Sequence, residues 1–130
     1  CEIEKFEVFC QPQQIGQVIV NLLNNAHDAI SSLPIKKMKM IYEYTPNGTA
    51  KLSLVDNGPG VKDPQKLFNP FYTTKAPGSG TGLGLSLSKK IVEQNRGTLT
   101  YQRINDETHF VIEFPAASVR KIPIITKIAG

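Results

Sequence analysis

Apolar residues recur at three- and four-residue spacing between positions 12 and 31. Ile15, Val18, Ile19, Leu22, Ala26, Ala29 and Ile30 fall on one stripe, which predicts an amphipathic helix. Pro12 suits its first turn, and Ser31, Ser32 and Pro34 end it. Residues 3–9 alternate roughly between apolar and polar and predict an edge strand. Residues 38–45 and 50–56 predict two strands joined by the turn signal Pro46-Asn47-Gly48. Residues 57–82 are rich in Gly and Pro and show little periodicity. A structureless stretch longer than about 12–15 residues is often functional. Leu83 to Asn95 predicts a second helix, capped by Gly97. Residues 98–103 and 108–114 predict a closing hairpin around Asn105-Asp106. This order predicts an α/β two-layer sandwich, a mixed, mostly antiparallel sheet with helices on one face.

At 130 residues, with 40% hydrophobic and 20% charged positions, the chain suits one folded domain and excludes intrinsic disorder. No apolar run approaches the ~20 residues of a membrane span, and no signal-peptide pattern appears. Cys1 and Cys10 form neither C-x-x-C nor metal spacing, so a reducing compartment is the default. The chain starts at Cys1 without an initiator Met and reads as a piece of a longer protein.

The net charge of +4 permits a nucleic acid, an anionic membrane or a phosphorylated ligand. The distribution narrows this. Residues 1–115 hold 12 basic and 11 acidic side chains, and Arg120, Lys121 and Lys127 supply the remaining excess. The expected division is therefore a nearly neutral domain over 1–115 and a tail over 116–130 without assigned role. No basic stripe follows a helix, and aromatics do not alternate with Arg or Lys on a strand, so nucleic acid is the weakest partner class.

Four local patterns carry chemistry. Asn21, Asn25 and Asp28 lie at i, i+4 and i+7 on the edge of the first helix's apolar stripe. They form either a cleft wall offering oxygens to a hard cation or a solvated polar face. Asp56-Asn57-Gly58-Pro59-Gly60 follows a predicted strand. A carboxylate there can accept a hydrogen bond from an exocyclic amine, although the same residues also suit a plain turn. Gly78 to Ser86 runs glycine-rich backbone into a helix N-terminus, a ready-made anion site. It lacks the closing Lys of a Walker A loop and the preceding strand of a dinucleotide fingerprint. Between them, Leu67 to Lys75 carries Phe68, Phe71 and Tyr72 ahead of Thr73, Thr74 and Lys75. Phe68 and Phe71 read as loop anchors, and Lys75 as an ammonium offered to phosphate.

Together the four resemble the N, G1, F and G2 boxes of the catalytic and ATP-binding domain of two-component sensor histidine kinases. The resemblance covers residues 10–114, and its short F box looks most like the nitrogen-regulator-type subset. It implies the Bergerat-type ATP-binding fold shared with gyrase, Hsp90 and MutL, and Mg-ATP as ligand. It implies that Asn25 ligates Mg²⁺, that Asn21 faces the phosphates or a metal-bound water, and that Asp56 reads the adenine amine beside Gly58 and Gly60. Residues 69–82 would form the ATP lid. Phe71, Thr74, Lys75, Gly80, Thr81, Gly82, Leu83 and Gly84 would complete the nucleotide site, with Asn21, Asn25 and Lys75 catalytic. Implied partners are the kinase's own dimerisation and phosphoacceptor domain and a response regulator. Nucleic acid and direct membrane contact are not implied. The domain would be cytoplasmic and monomeric in isolation, and the full-length kinase a homodimer.

Two positions depart from the wider pattern. Hydrolysing relatives carry a glutamate base where this chain has Asn21, and an amide cannot take a proton from water. That favours transfer to a histidine over hydrolysis. Many histidine kinases place Lys or Arg where Asp28 stands, which leaves Asp28 to orient neighbours or a metal-bound water. His27 points away from the proposed cleft, and His109 sits in a terminal strand. Neither lies in the family's phosphoacceptor hairpin. The alternatives are a nucleotide-sensing module without transfer activity and a hydrolysing ATPase of the gyrase, Hsp90 and MutL kind.

Overall fold

The computed structural model describes residues 2–73 and 84–123. Strand β1 (Glu2–Val8) leads into helix α1 (Pro12–Ile30). Strands β2 (Met38–Thr45) and β3 (Thr49–Asp56) form the first hairpin. A single 3-10 turn at Pro64–Lys66 interrupts the following loop. Helix α2 (Gly84–Gln94) precedes the second hairpin, β4 (Thr98–Ile104) and β5 (Glu107–Pro123).

Each element follows from its residues. Helix α1 has Pro12 in its first turn and no side-chain cap. The Gln11 amide instead donates to Asn95 Oδ1 at 2.8 Å, tying the start of α1 to the end of α2. Ile15, Val18, Leu22, Ala26 and Ile30 are buried on one stripe, and Ile19 packs at its margin. Gly48 donates to the Thr45 carbonyl at 3.0 Å and adopts φ 85°, the three-residue turn that Pro46-Asn47-Gly48 favours. Asn105 and Asp106 take φ 50° and 60°, a two-residue turn of the type that matches strand twist.

All strand pairs among the described residues are antiparallel, so the expected mixed sheet is corrected to an antiparallel one. β5 is the hub. Its first half pairs with β3 on one side and β4 on the other. Its second half pairs with β1, with Glu2 opposite Pro123. The strand expected over 108–114 thus extends far past its expected end, into the stretch read as a tail. Local patterning could not show this, because the ladder partner lies at the other end of the chain. Pro115 stands where the partners change. Both helices pack on one face of the sheet, where Leu22, Leu54, Val92, Leu99 and Ile112 form the core.

Gly97 is not the left-handed cap expected of it. Arg96 holds that position, at φ 64°. The Gly97 amide donates to the Val92 carbonyl at 2.9 Å, and the Arg96 amide to Glu93 at 3.0 Å, the paired bonds of a Schellman ending. Gly97 is needed for space: a Cβ there would lie 2.5 Å from the Phe114 ring. Gly97→Ala should therefore destabilise by about 1–3 kcal/mol through overpacking. Arg96→Gly should stabilise by about 1 kcal/mol by relieving a left-handed side-chain residue. Urea unfolding midpoints of the two variants should move in opposite directions.

Candidate functional site

A cavity of about 560 Å³ opens between α1, the β3–β5–β4 part of the sheet and the N-terminus of α2. Asn21, Asn25 and Asp28 line it from α1, Asp56 from the end of β3, and Gly84 from the first turn of α2. The three polar α1 positions therefore do form a cleft wall. Asn21 is anchored: its Nδ2 donates to Ser88 Oγ at 3.0 Å. Its amide also abuts the start of α2, where a Cβ on Gly84 would lie 2.8 Å from Asn21 Oδ1. Asn25, one turn further, is half-buried on the cavity wall. Asp28 lies 3.5 Å from His27 Nδ1. His27 itself is exposed and does not line the cavity.

Asp56 is 3% exposed. Its Oδ1 accepts the Gly58 amide at 2.8 Å. Burial pushes its carboxyl above the usual carboxylate range, opposed by the Gly58 amide and by the Arg103 and His109 charges. The two glycines after it divide the labour. Gly60 adopts φ 77° and lines the cavity. Gly58 does not line it. Its missing Cβ lets the turn pack against α1, since a Cβ would meet Ala29 Cβ at 2.9 Å.

Side chains from β4 and β5 hold this turn, and no motif in the sequence marks them. Arg103 Nη1 donates to the Gly58 carbonyl at 2.7 Å and to Thr108 Oγ1 at 2.9 Å. The Val61 amide donates to the Tyr101 hydroxyl at 3.3 Å. Tyr101 meets Phe110 edge-on, and both line the cavity beside Thr108. Asn57 fastens the other flank: its Oδ1 accepts the Lys37 amide and its Nδ2 donates to the Ile35 carbonyl. The alternation of β4 could have placed Tyr101 and Arg103 on one face, but nothing local ties them to residues forty positions earlier.

Phe68 is the loop anchor expected, packed at the core margin with Lys89 Nζ 4.7 Å from its ring centroid. Phe71 is not an anchor. It takes φ 67°, is 74% exposed and does not line the cavity. Its left-handed backbone turns the side chain outward, while Tyr72 and Thr73 line the cavity instead. Thr74, Lys75, Gly80, Thr81, Gly82 and Leu83 lie outside the described residues. Among the described residues, no three His, Cys, Asp or Glu side chains cluster to hold a metal.

A model of the histidine kinase-, DNA gyrase B- and HSP90-like ATPases matches residues 10–118. The chain belongs to this family. Among its curated relatives, the two-component sensor PprA of Pseudomonas aeruginosa is 39% identical over 114 residues, 83% of this chain and 12% of that protein. The sensory histidine kinase/phosphatase NtrB of Rhizobium leguminosarum bv. phaseoli is 36% identical, over 85% of this chain and 32% of that protein. The chain thus spans a third or less of these relatives. The nucleotide-free catalytic domain of histidine kinase ThkA superposes with a TM-score of 0.70 at 32% identity, covering 83% of this chain and 71% of that one. The mycobacterial sensor histidine kinase MprB shares the fold, at a TM-score of 0.75 and 24% identity over 85% and 78% of the two chains. The Bergerat-type fold of histidine kinase catalytic domains is thereby shown.

The buried carboxylate makes a stability prediction for this ATPase-family domain. With its folded pKa raised, Asp56 contributes stability that is present in acid and lost as pH rises through the folded value. Asp56→Asn keeps an acceptor for the Gly58 amide and carries no charge to desolvate. The ligand-free variant should melt higher than the parent at pH 7, with the gap closing below the usual carboxyl range. Scanning calorimetry against pH measures both limbs, and a variant that melts lower at pH 7 contradicts the assignment.

Proposed function

We propose that this chain binds Mg·ATP and passes the γ-phosphoryl group to a histidine on a separate dimerisation domain of its parent kinase. The observation carrying the reading is the cavity. A buried Asp56 sits at one end, the oxygens of Asn25 and Asp28 line one wall, and the N-terminus of α2 closes another side. An acceptor carboxylate suits an adenine amine, and a helix N-terminus suits phosphate. Gly60 brings backbone to the base. Thr74, Lys75 and Gly80–Gly84 would hold the phosphates.

The residues present fit Mg²⁺ as a companion of the triphosphate. The wall offers hard oxygen donors and, among the described residues, no cage of carboxylates, and Mg²⁺ binds mainly through substrate phosphates with one or two protein oxygens. Asn25 would hold the ion, with Asp28 orienting its waters. Bound Mg²⁺ would neutralise charge on the phosphates. Asn21 acts as a fixed amide, bonded to Ser88, and cannot deprotonate water. The imidazole of the acceptor domain supplies the nucleophile: a P–N bond forms as the bond to the ADP oxygen breaks. The relatives named as sensor histidine kinases support this reading, as does the nitrogen-regulator-type F box. A response regulator would take the phosphoryl group onward, on the cytoplasmic side.

Radiolabelled ATP tests it. The intact parent protein should acquire an acid-labile label, and the chain should label the parent's histidine hairpin in trans. An unlabelled intact protein that still binds ATP by calorimetry overturns transfer and leaves a nucleotide sensor. Robust phosphate release without labelling overturns it in favour of hydrolysis. Asp56→Asn should weaken ATP by about ten- to a hundredfold, the loss of a charge-assisted hydrogen bond. In thermal-shift titrations Mg²⁺ alone should leave the melting temperature unchanged, while Asn25→Ala should remove the Mg²⁺-dependent part of the ATP shift.

A further inference from the structure

Three side chains stand in one row across the sheet. Arg103 of β4 is opposite Thr108 of β5, and Thr108 is opposite Asp56 of β3. Residues directly opposite share a face of the sheet. Two positions along, the row Tyr101, Phe110 and Leu54 belongs to the helix-bearing side, so this row does too. Asp56 and Thr108 line the cavity, while Arg103 stands behind them.

Arg103 closes a circuit of hydrogen bonds through Gly58. Its Nη1 donates to Thr108 Oγ1 at 2.9 Å and to the Gly58 carbonyl at 2.7 Å. The Gly58 amide donates in turn to Asp56 Oδ1 at 2.8 Å. One glycine therefore links a guanidinium to a carboxylate. The following turn rests on the same side chain: a Cβ on Gly60 would lie 3.3 Å from both Arg103 Cδ and Arg103 Nη1.

The other charged groups around Asp56 hold different places. His109 is the neighbour of Thr108 on β5 and therefore stands on the opposite face, 3.9 Å from Glu107. Lys39 of β2 lies 3.2 Å from the same Glu107. Asp28 of α1 lines the cavity and is itself acidic. Tyr72 and Tyr101 line it as phenols, and α2 brings Gly84 and Leu85. Among the described residues, Arg103 is thus the cation on the cavity side of the sheet that is bonded to the Gly58 turn.

We propose that Arg103 is the positioning residue of the base-binding end of the cavity, bracing the Gly58–Gly60 turn and supplying the counter-charge that keeps Asp56 an acceptor. This role rests on the Mg·ATP reading above and falls on a residue outside the four boxes. Burial drives the Asp56 carboxyl towards its protonated form, and the Arg103 charge opposes that. A protonated carboxyl turns one oxygen into a donor and loses its match to an amine. The guanidinium keeps its own charge throughout. Without it, Asp56 takes up a proton at higher pH, and the acidic limb of ATP binding moves up with it.

Two substitutions separate brace from charge. Arg103→Lys keeps a cation and loses the planar fork. Arg103→Gln keeps an amide donor and loses the cation. Calorimetry gives Mg·ATP affinity across pH, and titration of the nucleotide phosphates is common to all three proteins and cancels in each ratio to the parent. Arg103→Lys should weaken binding by a factor that stays constant with pH. Arg103→Gln should weaken it by a factor that grows about tenfold as pH falls through the Asp56 titration, the loss expected with a neighbouring opposite charge. A merely structural role gives a constant factor for both. The ¹³C carboxyl shift of Asp56 in the ligand-free chain supplies a readout without nucleotide. Its titration midpoint should move up in Arg103→Gln and stay near the parent's in Arg103→Lys. An unmoved midpoint in Arg103→Gln, or a constant factor for that variant, overturns the proposal. A parent that binds no ATP overturns the nucleotide reading instead, and the Asp56 midpoints then decide the counter-charge on their own.

Discussion

Everything in this domain is referred to strand β5. Among the described residues it is the one strand hydrogen-bonded to three others: β3 and β4 along its first half and β1 along its second. Its inward residues Phe110, Ile112 and Phe114 lie in the core against which both helices pack. Its Thr108 stands opposite Asp56 and accepts the guanidinium of Arg103. The register of one strand therefore fixes the core and also aims the carboxylate at the cavity. A slip by a single residue would turn Thr108 and Phe110 out of the cavity together.

Much of this was legible along the chain. The stripe from Ile15 to Ile30 specified α1, and Pro46-Asn47-Gly48 specified the β2–β3 turn. The placing of Asn21, Asn25 and Asp28 at one helix edge put three polar side chains on one cavity wall. These are signals of short range, carried by spacings of a turn or less. What escaped was of long range. Arg103 and Tyr101 reach the Gly58–Val61 turn from a strand some forty residues away. The far half of β5 is a strand because β1 supplies its ladder, and nothing near Ala116 announces that. Gly97 suggests a cap because glycine favours positive φ, but its reason is the Phe114 ring. A missing side chain looks the same in the sequence whether conformation or space demands it.

The site also shows a tension between holding a ligand and holding a fold. Asp56 is buried where its charge is costly, and the Gly58 amide, Arg103 and His109 offset only part of that cost. Asn21 spends its amide on Ser88 and on the close approach to Gly84. It thereby couples α1, which carries the polar wall, to the first turns of α2. An amide at that point can serve geometry but cannot transfer a proton.

The pairing of Glu2–Val8 with the far end of β5 has a consequence in time. Chains dominated by non-local pairings fold slowly, because loop closure must precede the contacts that reward it. On the ribosome, where synthesis runs at about 5–20 residues per second, β1 would emerge roughly 6–23 seconds before its partner strand. Throughout that interval α1, the first hairpin and α2 emerge, while the first strand waits without its ladder partner. The strand made first can therefore join its ladder only after the strand made last has emerged.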